Sequence, residues 1–449
     1  MRMRKDVFVV CLAIGLGLST IGGTRLDRPA QEPSWSSLPK PFRITPEQNG
    51  QFRAEPVQYN PKLDRYVVFY EEYLSTSSWD VAFFSRIYDP TGKPTSGAQK
   101  IISSDPGMVG AGLVYFAYNA LEDTFFFVSL TRNRSIYGLA LDGSGRPLGG
   151  GATPIQINEN SQANAVVGPN VAWIPSVNRF AVSWTSSDVK DPANSRNGYY
   201  LAIFDSHFKK VFGPKKVRGQ FVNNGYFLSA TVLPLEDKLL WGSADDAPNS
   251  AMRPVLWFTD FKGEVQKSYG QKGLIYPGGA IPYGGWVQTA LDPDQGVVLV
   301  YWRYSNHHDV SKMKYWEYST RILGTDGVFK TSAFKMPRQQ PFQYAMIAAC
   351  AAAEKRFFLV CEEYITFRTS YGGKFWGFYM DEKGRLENKK GQHGAAPIPL
   401  IETNLNPRGF IFLGGGLAPS ADNKSFFLTY NLRDYRQHFP FQAWGLIYK

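Results

Sequence analysis

Two short runs place paired carboxylates beside an aromatic hydroxyl, Glu71-Glu72-Tyr73 and Glu362-Glu363-Tyr364. Two carboxyls about 5–10 Å apart can act as acid and base on a glycosidic bond. Glu72 and Glu363 are therefore the catalytic candidates of an enzyme reading. Arg303, His307, His308 and Asp309 form the only dense histidine cluster. Adjacent histidines on an extended segment point apart, so they are poorly placed to share one ion, and no metal is expected. Arg433, Tyr435, Arg436 and His438 offer charged donors to an anionic ligand. The chain has no G-x-S-x-G elbow, no H-E-x-x-H, no phosphate-binding G-x-x-x-x-G-K and no sialidase-type S-x-D-x-G-x-T-W box. Without C-x-x-C-H, covalent haem is not expected either, and no cofactor is assigned.

What positions these residues is a repeat. Its first copy spans Val57 to Ser103. Arg65 to Tyr70 (RYVVFY) is aromatic and β-branched and has the length of a strand. The preceding Asn60, Pro61 and Asp64 make a turn, and Asp89-Pro90-Thr91-Gly92 makes a second. Val81 to Tyr88 and Gln99 to Ser103 supply further strands. The first apolar residue of the second strand recurs as Tyr66, Phe125, Phe180, Leu239, Val298, Phe357 and Phe426, at gaps of 59, 55, 59, 59, 59 and 69 residues. Four antiparallel strands in about 50–60 residues, repeated seven times, predict an all-β, seven-bladed β-propeller. The second turn recurs with its glycine as Asp142…Gly145, Asp260…Gly263, Thr325-Asp326-Gly327 and Asp381…Gly384; after Asp205 the next glycine is Gly213. The last copy stops at its third strand, Ala443 to Tyr448, while Pro41 to Thr45 is a strand without a copy of its own. That strand is expected to complete blade seven and close the ring.

The pattern Y-N-P-x-x-D-x-Y-x-V-x-[WFY], read at Tyr59 to Tyr70 and followed by an aromatic strand and D-x-x-G, resembles the repeats of secreted bacterial β-propeller proteins. The resemblance covers residues 41–449. It implies the fold and not an activity, since such repeats serve many roles.

The remaining chain sets the context. Met1 to Gly23 has a basic start (Arg2, Arg4, Lys5), an apolar run from Val7 and small residues at its end, as in a secretory signal peptide. The expected organisation is a signal peptide at 1–23, a Pro-rich linker at 24–40 and the propeller at 41–449, in an exported protein, periplasmic or extracellular. No membrane span is expected in the mature chain. Charged residues are 19% and hydrophobic ones 43%, which excludes a disordered body. Net charge is +11; losing residues 1–22 removes three basic groups and one acid and leaves +9. That suits an anionic glycan or an acidic partner. No nucleic-acid module is present, and nucleic acid is not an expected partner. Cys350 and Cys361 flank one hairpin out of register, so two buried thiols are expected.

Connections between first and second strands and between third and fourth are short. Those between second and third are long: 73–79, 185–198, 242–253, 303–316, 362–374 and 431–442. Strand alternation puts the long connections on one face, where binding is expected through Tyr73, Arg303, His307, Tyr364 and Arg433. The leading expectation is a non-catalytic binding or assembly module for a glycan or protein. A carbohydrate-active hydrolase or lyase using Glu72 and Glu363 is the alternative, and a quinoprotein-like oxidoreductase ranks third.

Overall fold

The computed structural model describes residues 40–45, 51–74, 81–103, 114–131, 135–150, 153–158, 166–186, 197–219, 231–246, 252–269, 284–305, 316–337, 343–351, 355–367, 370–388, 390–394, 397–403, 409–420, 425–434 and 441–449. The expected signal peptide and most of the linker lie outside them, as does His307. The chain forms seven antiparallel sheets, spanning 51–103, 114–156, 166–219, 231–269, 284–335, 343–403 and 409–448. Their innermost strands touch one another in cyclic order, and the last touches the first. The protein is a seven-bladed β-propeller. Among the described residues no helix is long and apolar enough to cross a membrane.

Blade seven takes its fourth strand from the N-terminal side. Phe42 and Arg43 pair with Gly445 and Trp444, and Ile44 N–H donates to the Ala443 carbonyl at 3.0 Å.

The strands are apolar on both faces because both faces are buried. One hydrophobic cluster fills each of the seven junctions between neighbouring blades. In blade one, Tyr66, Val68 and Tyr70 face blade seven, while Val67 and Phe69 face blade two. Continuous burial removes the polar-out alternation of a one-sided sheet.

The D-x-x-G turns have a common construction. Oδ1 of Asp89 accepts the backbone N–H of Thr91 and Lys93, and the same pair of bonds forms at Asp142, Asp260 and Asp381. The glycine then turns left-handed, as at Gly92 (φ 88°). The third copy corrects the expectation that its glycine is displaced. Asp205 makes the same bonds to His207 and Lys209, and Phe208 takes the left-handed position (φ 63°). That conformation costs about 1–2 kcal/mol outside glycine. Burying the Phe208 ring against Phe126 and Phe180 returns about 1.5–3 kcal/mol, so the phenylalanine is tolerated.

The first turns link blades. Asn60 accepts N–H groups of its own turn, and its amide donates to Asp123 and to the Gly143 carbonyl of blade two, both at 2.8 Å. Asn119 repeats this by donating to Asn178 of blade three. The Asn of the Y-N-P motif is thus a tie between neighbours on the short-turn face.

Blade six departs from the 59-residue period because it carries an extra outer strand. Leu386–Glu387 and Ile398–Thr403 both pair with Ser370–Asp381, at different stretches of it. In the same blade Cys350 pairs with Phe357 and Cys361 with Met346. Cys361 is a free, buried thiol, as expected.

Candidate functional site

The second strands of blades one, five, six and seven run to the long-loop end of their sheets. They end at Tyr73, Ser305, Phe367 and Asp434. Segment 362–374, expected to be a loop, is largely a ribbon. Glu363 pairs with Lys374, Tyr364 with Gly373 and Phe367 with Ser370. Its Tyr-Ile-Thr-Phe run favours extended backbone, which carries the pairing outward. Four of the five expected binding residues therefore sit on paired backbone in four consecutive blades. Arg303 pairs with Gly285 and Tyr318, Arg433 with Phe410 and Phe441, and Tyr73 with Gln51 and Val81.

Below Tyr73 the structure reveals a buried ionic cluster that sequence reading missed. The innermost strand of blade one begins at Gln51, six residues before the repeat seemed to start. Arg53 pairs across to Glu71, and a register shift between Ala54 and Val57 accompanies Glu55. A bulge of this kind re-aims side chains. Arg53 Nε lies 3.7 Å from Glu55 Oε1. Blade seven anchors the bulge: Ala54 N–H donates to Asn431 Oδ1 at 2.7 Å, and Thr429 Oγ1 donates to the Glu55 carbonyl at 3.1 Å. Glu55 and Glu71 are 2% and 0% exposed.

Two carboxyls share one guanidinium. Burial, and then the neighbouring Glu71 charge, push the Glu55 carboxyl well above its ordinary range, against the pull of Arg53. Burial opposes the Arg53 charge, but Glu55 and Glu71 outweigh it and raise its pKa. The Tyr73 hydroxyl is raised by burial and by Glu71, with which it hydrogen-bonds. Tyr73 thus roofs the cluster and packs on the junction between blades one and two.

The expected pair of acids resolves by strand parity. Glu71 shares the blade-two side with Phe69 and Tyr73, while Glu72, half-buried, lies on the alternate side. Glu362 holds the position equivalent to Glu71 and is 1% exposed. Glu363 is one residue further along that strand, and its side chain lies outside the described residues. The acids that burial singles out are Glu71 and Glu362.

A second group of ligating types appears in blade six. Donor atoms of Asp381, Glu387 and His393 lie within 4.8 Å of one another. Arg385 Nε donates to Asp381 Oδ2 at 2.7 Å, and Oδ1 takes two backbone N–H groups. A guanidinium already holds the oxygen a cation would need.

No protein-family model and no curated protein matches the chain. Solved structures do. A lectin, BP39L, from Burkholderia pseudomallei is 12% identical, with 89% of this chain and 96% of that one covered and a TM-score of 0.49. The β-propeller domain of the Trilobed protease from Pyrococcus furiosus is 9% identical over 88% and 95%, TM-score 0.47. Prolyl oligopeptidase B from Galerina marginata is 10% identical over 86% of this chain and 47% of that one, TM-score 0.45. The chain spans about half the length of that peptidase.

Proposed function

We propose that the chain is an exported, non-catalytic binding propeller that takes a glycan or protein partner on its long-loop face. The contrast between the two ends of the ring carries the reading. On the short-turn face, Asn and Asp side chains are engaged in turns and blade-to-blade bonds. On the other face, strand pairs carry the backbone of Arg303, Tyr364 and Arg433 to the long-loop end in adjacent blades, beside Tyr73, whose ring packs on the junction of blades one and two. Arginines supply forked donors to carboxylate or sulfate, and tyrosines supply flat surface for stacking. The hydrolase reading rests on Glu72, which is half-buried, and on Glu363; the sealed Glu55, Glu71 and Glu362 could not serve it.

Screening the purified protein on a glycan array, with a reducing-sugar release assay in parallel, tests this. Binding without release is expected. Arg303→Ala and Arg433→Ala should each weaken an anionic ligand by about 1–3 kcal/mol per lost charged hydrogen bond, with unfolding nearly unchanged. Binding that survives both changes and fails instead with Lys62→Ala or Lys93→Ala would place the site on the opposite face. Sugar release that is lost in Glu72→Gln or Glu363→Gln would establish the enzyme in its stead.

Export rests on the short apolar run between a basic start and small residues. N-terminal sequencing of the exported fraction should begin near Gly23 or Thr24; an intact Met1 in a soluble cytoplasmic pool would overturn it.

A further inference from the structure

The outer strand of blade three, Lys210–Gly219, differs from every other outer strand described. It is 10 residues long, where the others run from two to six. It is intermediate to exposed along its whole length. Residues 207–219 contain Lys209, Lys210, Lys215, Lys216, Arg218 and His207, and no acid. Among the described residues only one flank is paired, to Gly198–Asp205, and the strand is the outermost of its sheet.

Several of these cations are held in place. Lys215 donates to the Lys262 carbonyl of blade four at 3.0 Å and pairs with Glu264. The Arg218 guanidinium lies over the Trp257 ring, 4.9 Å from its centroid. Phe212 and Val217 anchor the strand on the junction with blade four. Lys209 and Lys210 are exposed at its start. The cations fall in two groups, Lys209–Lys210 and Lys215–Lys216–Arg218, about 16 Å apart along the strand at about 3.3 Å per residue. Within each group the charges lie inside a Debye length of about 10 Å, so their fields add there, with Lys215 partly offset by Glu264.

The form of the strand selects the partner. An added peptide strand needs an uninterrupted ladder edge. Pro214 has no N–H, and the register shifts at three places between Tyr199 and Phe204. The edge therefore offers side-chain charge and little backbone. A membrane surface would favour exposed apolar anchors beside the cations; on this strand the exposed large apolar residue is Val211 alone. We propose that this rim is a docking strip for a linear polyanionic glycan, carrying sulfate or carboxylate along its length. The strip climbs the rim from Lys210, beside the short turn at Asp205, to Gly219, which pairs with Gly198 at the long-loop end; Arg303 and Arg433, in blades five and seven, are not part of it.

The test uses the full chain, with dextran sulfate and polygalacturonate as the sulfate and carboxylate probes and neutral dextran as the control. At about 50 mM salt the protein should bind at least one polyanion and not dextran, and binding should fall with added salt. Lys209→Glu with Lys210→Glu should weaken binding by about tenfold or more and flatten the salt dependence. Lys93→Glu with Lys100→Glu, exposed on blade one, makes the same change in net charge and should leave affinity within about twofold. Failure to bind either polyanion would overturn the proposal, leaving the lysines as guards against edge-to-edge association. Equal weakening by the two pairs would also overturn it, by assigning the attraction to net charge. So would binding confined to phosphatidylserine vesicles or to polyglutamate.

Discussion

Arg53→Met should lower the unfolding free energy by about 3–5 kcal/mol, the usual cost of stripping one partner from a buried ion pair. Methionine keeps the volume of the stem, so the loss is electrostatic: Glu55 and Glu71 remain buried with no cation between them. Glu55→Gln should act in the opposite direction, because it removes one of two carboxyls sharing a guanidinium. The pH dependence separates the two. A carboxyl whose folded pKa stands above its ordinary value of 4.5 stabilises the fold fully below that value. The contribution is lost as pH rises through the raised folded pKa. Glu55→Gln should therefore match the unaltered protein near pH 4 and equal or exceed it at pH 8. The Arg53→Met deficit should be smaller at pH 4 than at pH 8. Denaturant unfolding at the two pH values measures both differences, and using differences between variants cancels the titration of other groups. A deficit in Arg53→Met independent of pH would mean that the arginine acts by packing alone.

The fold was readable because seven copies repeat chemistry that has one structural answer. The aromatic second strands, the Asp-led turns and the unmatched strand at Pro41 to Thr45 each demand a particular neighbour. The departures occur where tertiary contacts override local signals. Phe208 stands left-handed where the sequence lacks its glycine, because burial of the ring outweighs the backbone cost. Thr, Ser and Gly in 362–374 read as a loop, yet the pairing of Glu363 with Lys374 extends the ribbon across them.

The ionic cluster was the least legible part. Arg53 and Glu55 lay ahead of the first recognisable copy, and the irregularity that accompanies Glu55 is set by Asn431 and Thr429, more than 370 positions away. A charged pair two residues apart at the start of an otherwise apolar strand was the available signal. Glu71 and Glu72 were found together, but strand parity decides which one is buried.

Removing the closing strand, residues 41–45, should destabilise the propeller by at least about 5 kcal/mol. The estimate is built from its parts. Ile44 is fully buried, worth about 1.5–3 kcal/mol, and the partly buried Phe42 adds to it. The Phe42 ring meets Tyr88 and Phe427 at centroid distances of 5.7 and 5.5 Å and lies against Gly445, where a Cβ would come within 2.8 Å of it. The Ile44 carbonyl accepts the Tyr88 hydroxyl at 2.6 Å and Arg86 Nη1 at 3.0 Å. Losing it leaves these donors to find water, at about 1–3 kcal/mol for any that stays buried. Against a total stability of about 5–15 kcal/mol, such a loss opens blade seven at or near room temperature. Thermal unfolding should show a marked fall in Tm, with early proteolysis between Phe426 and Tyr448. Ile44→Ala alone should cost about 2–5 kcal/mol. Deleting 24–38 while keeping the strand should leave Tm unchanged. Equal stability with and without residues 41–45 would show that the ring holds by its other six junctions and that this strand is not its closure.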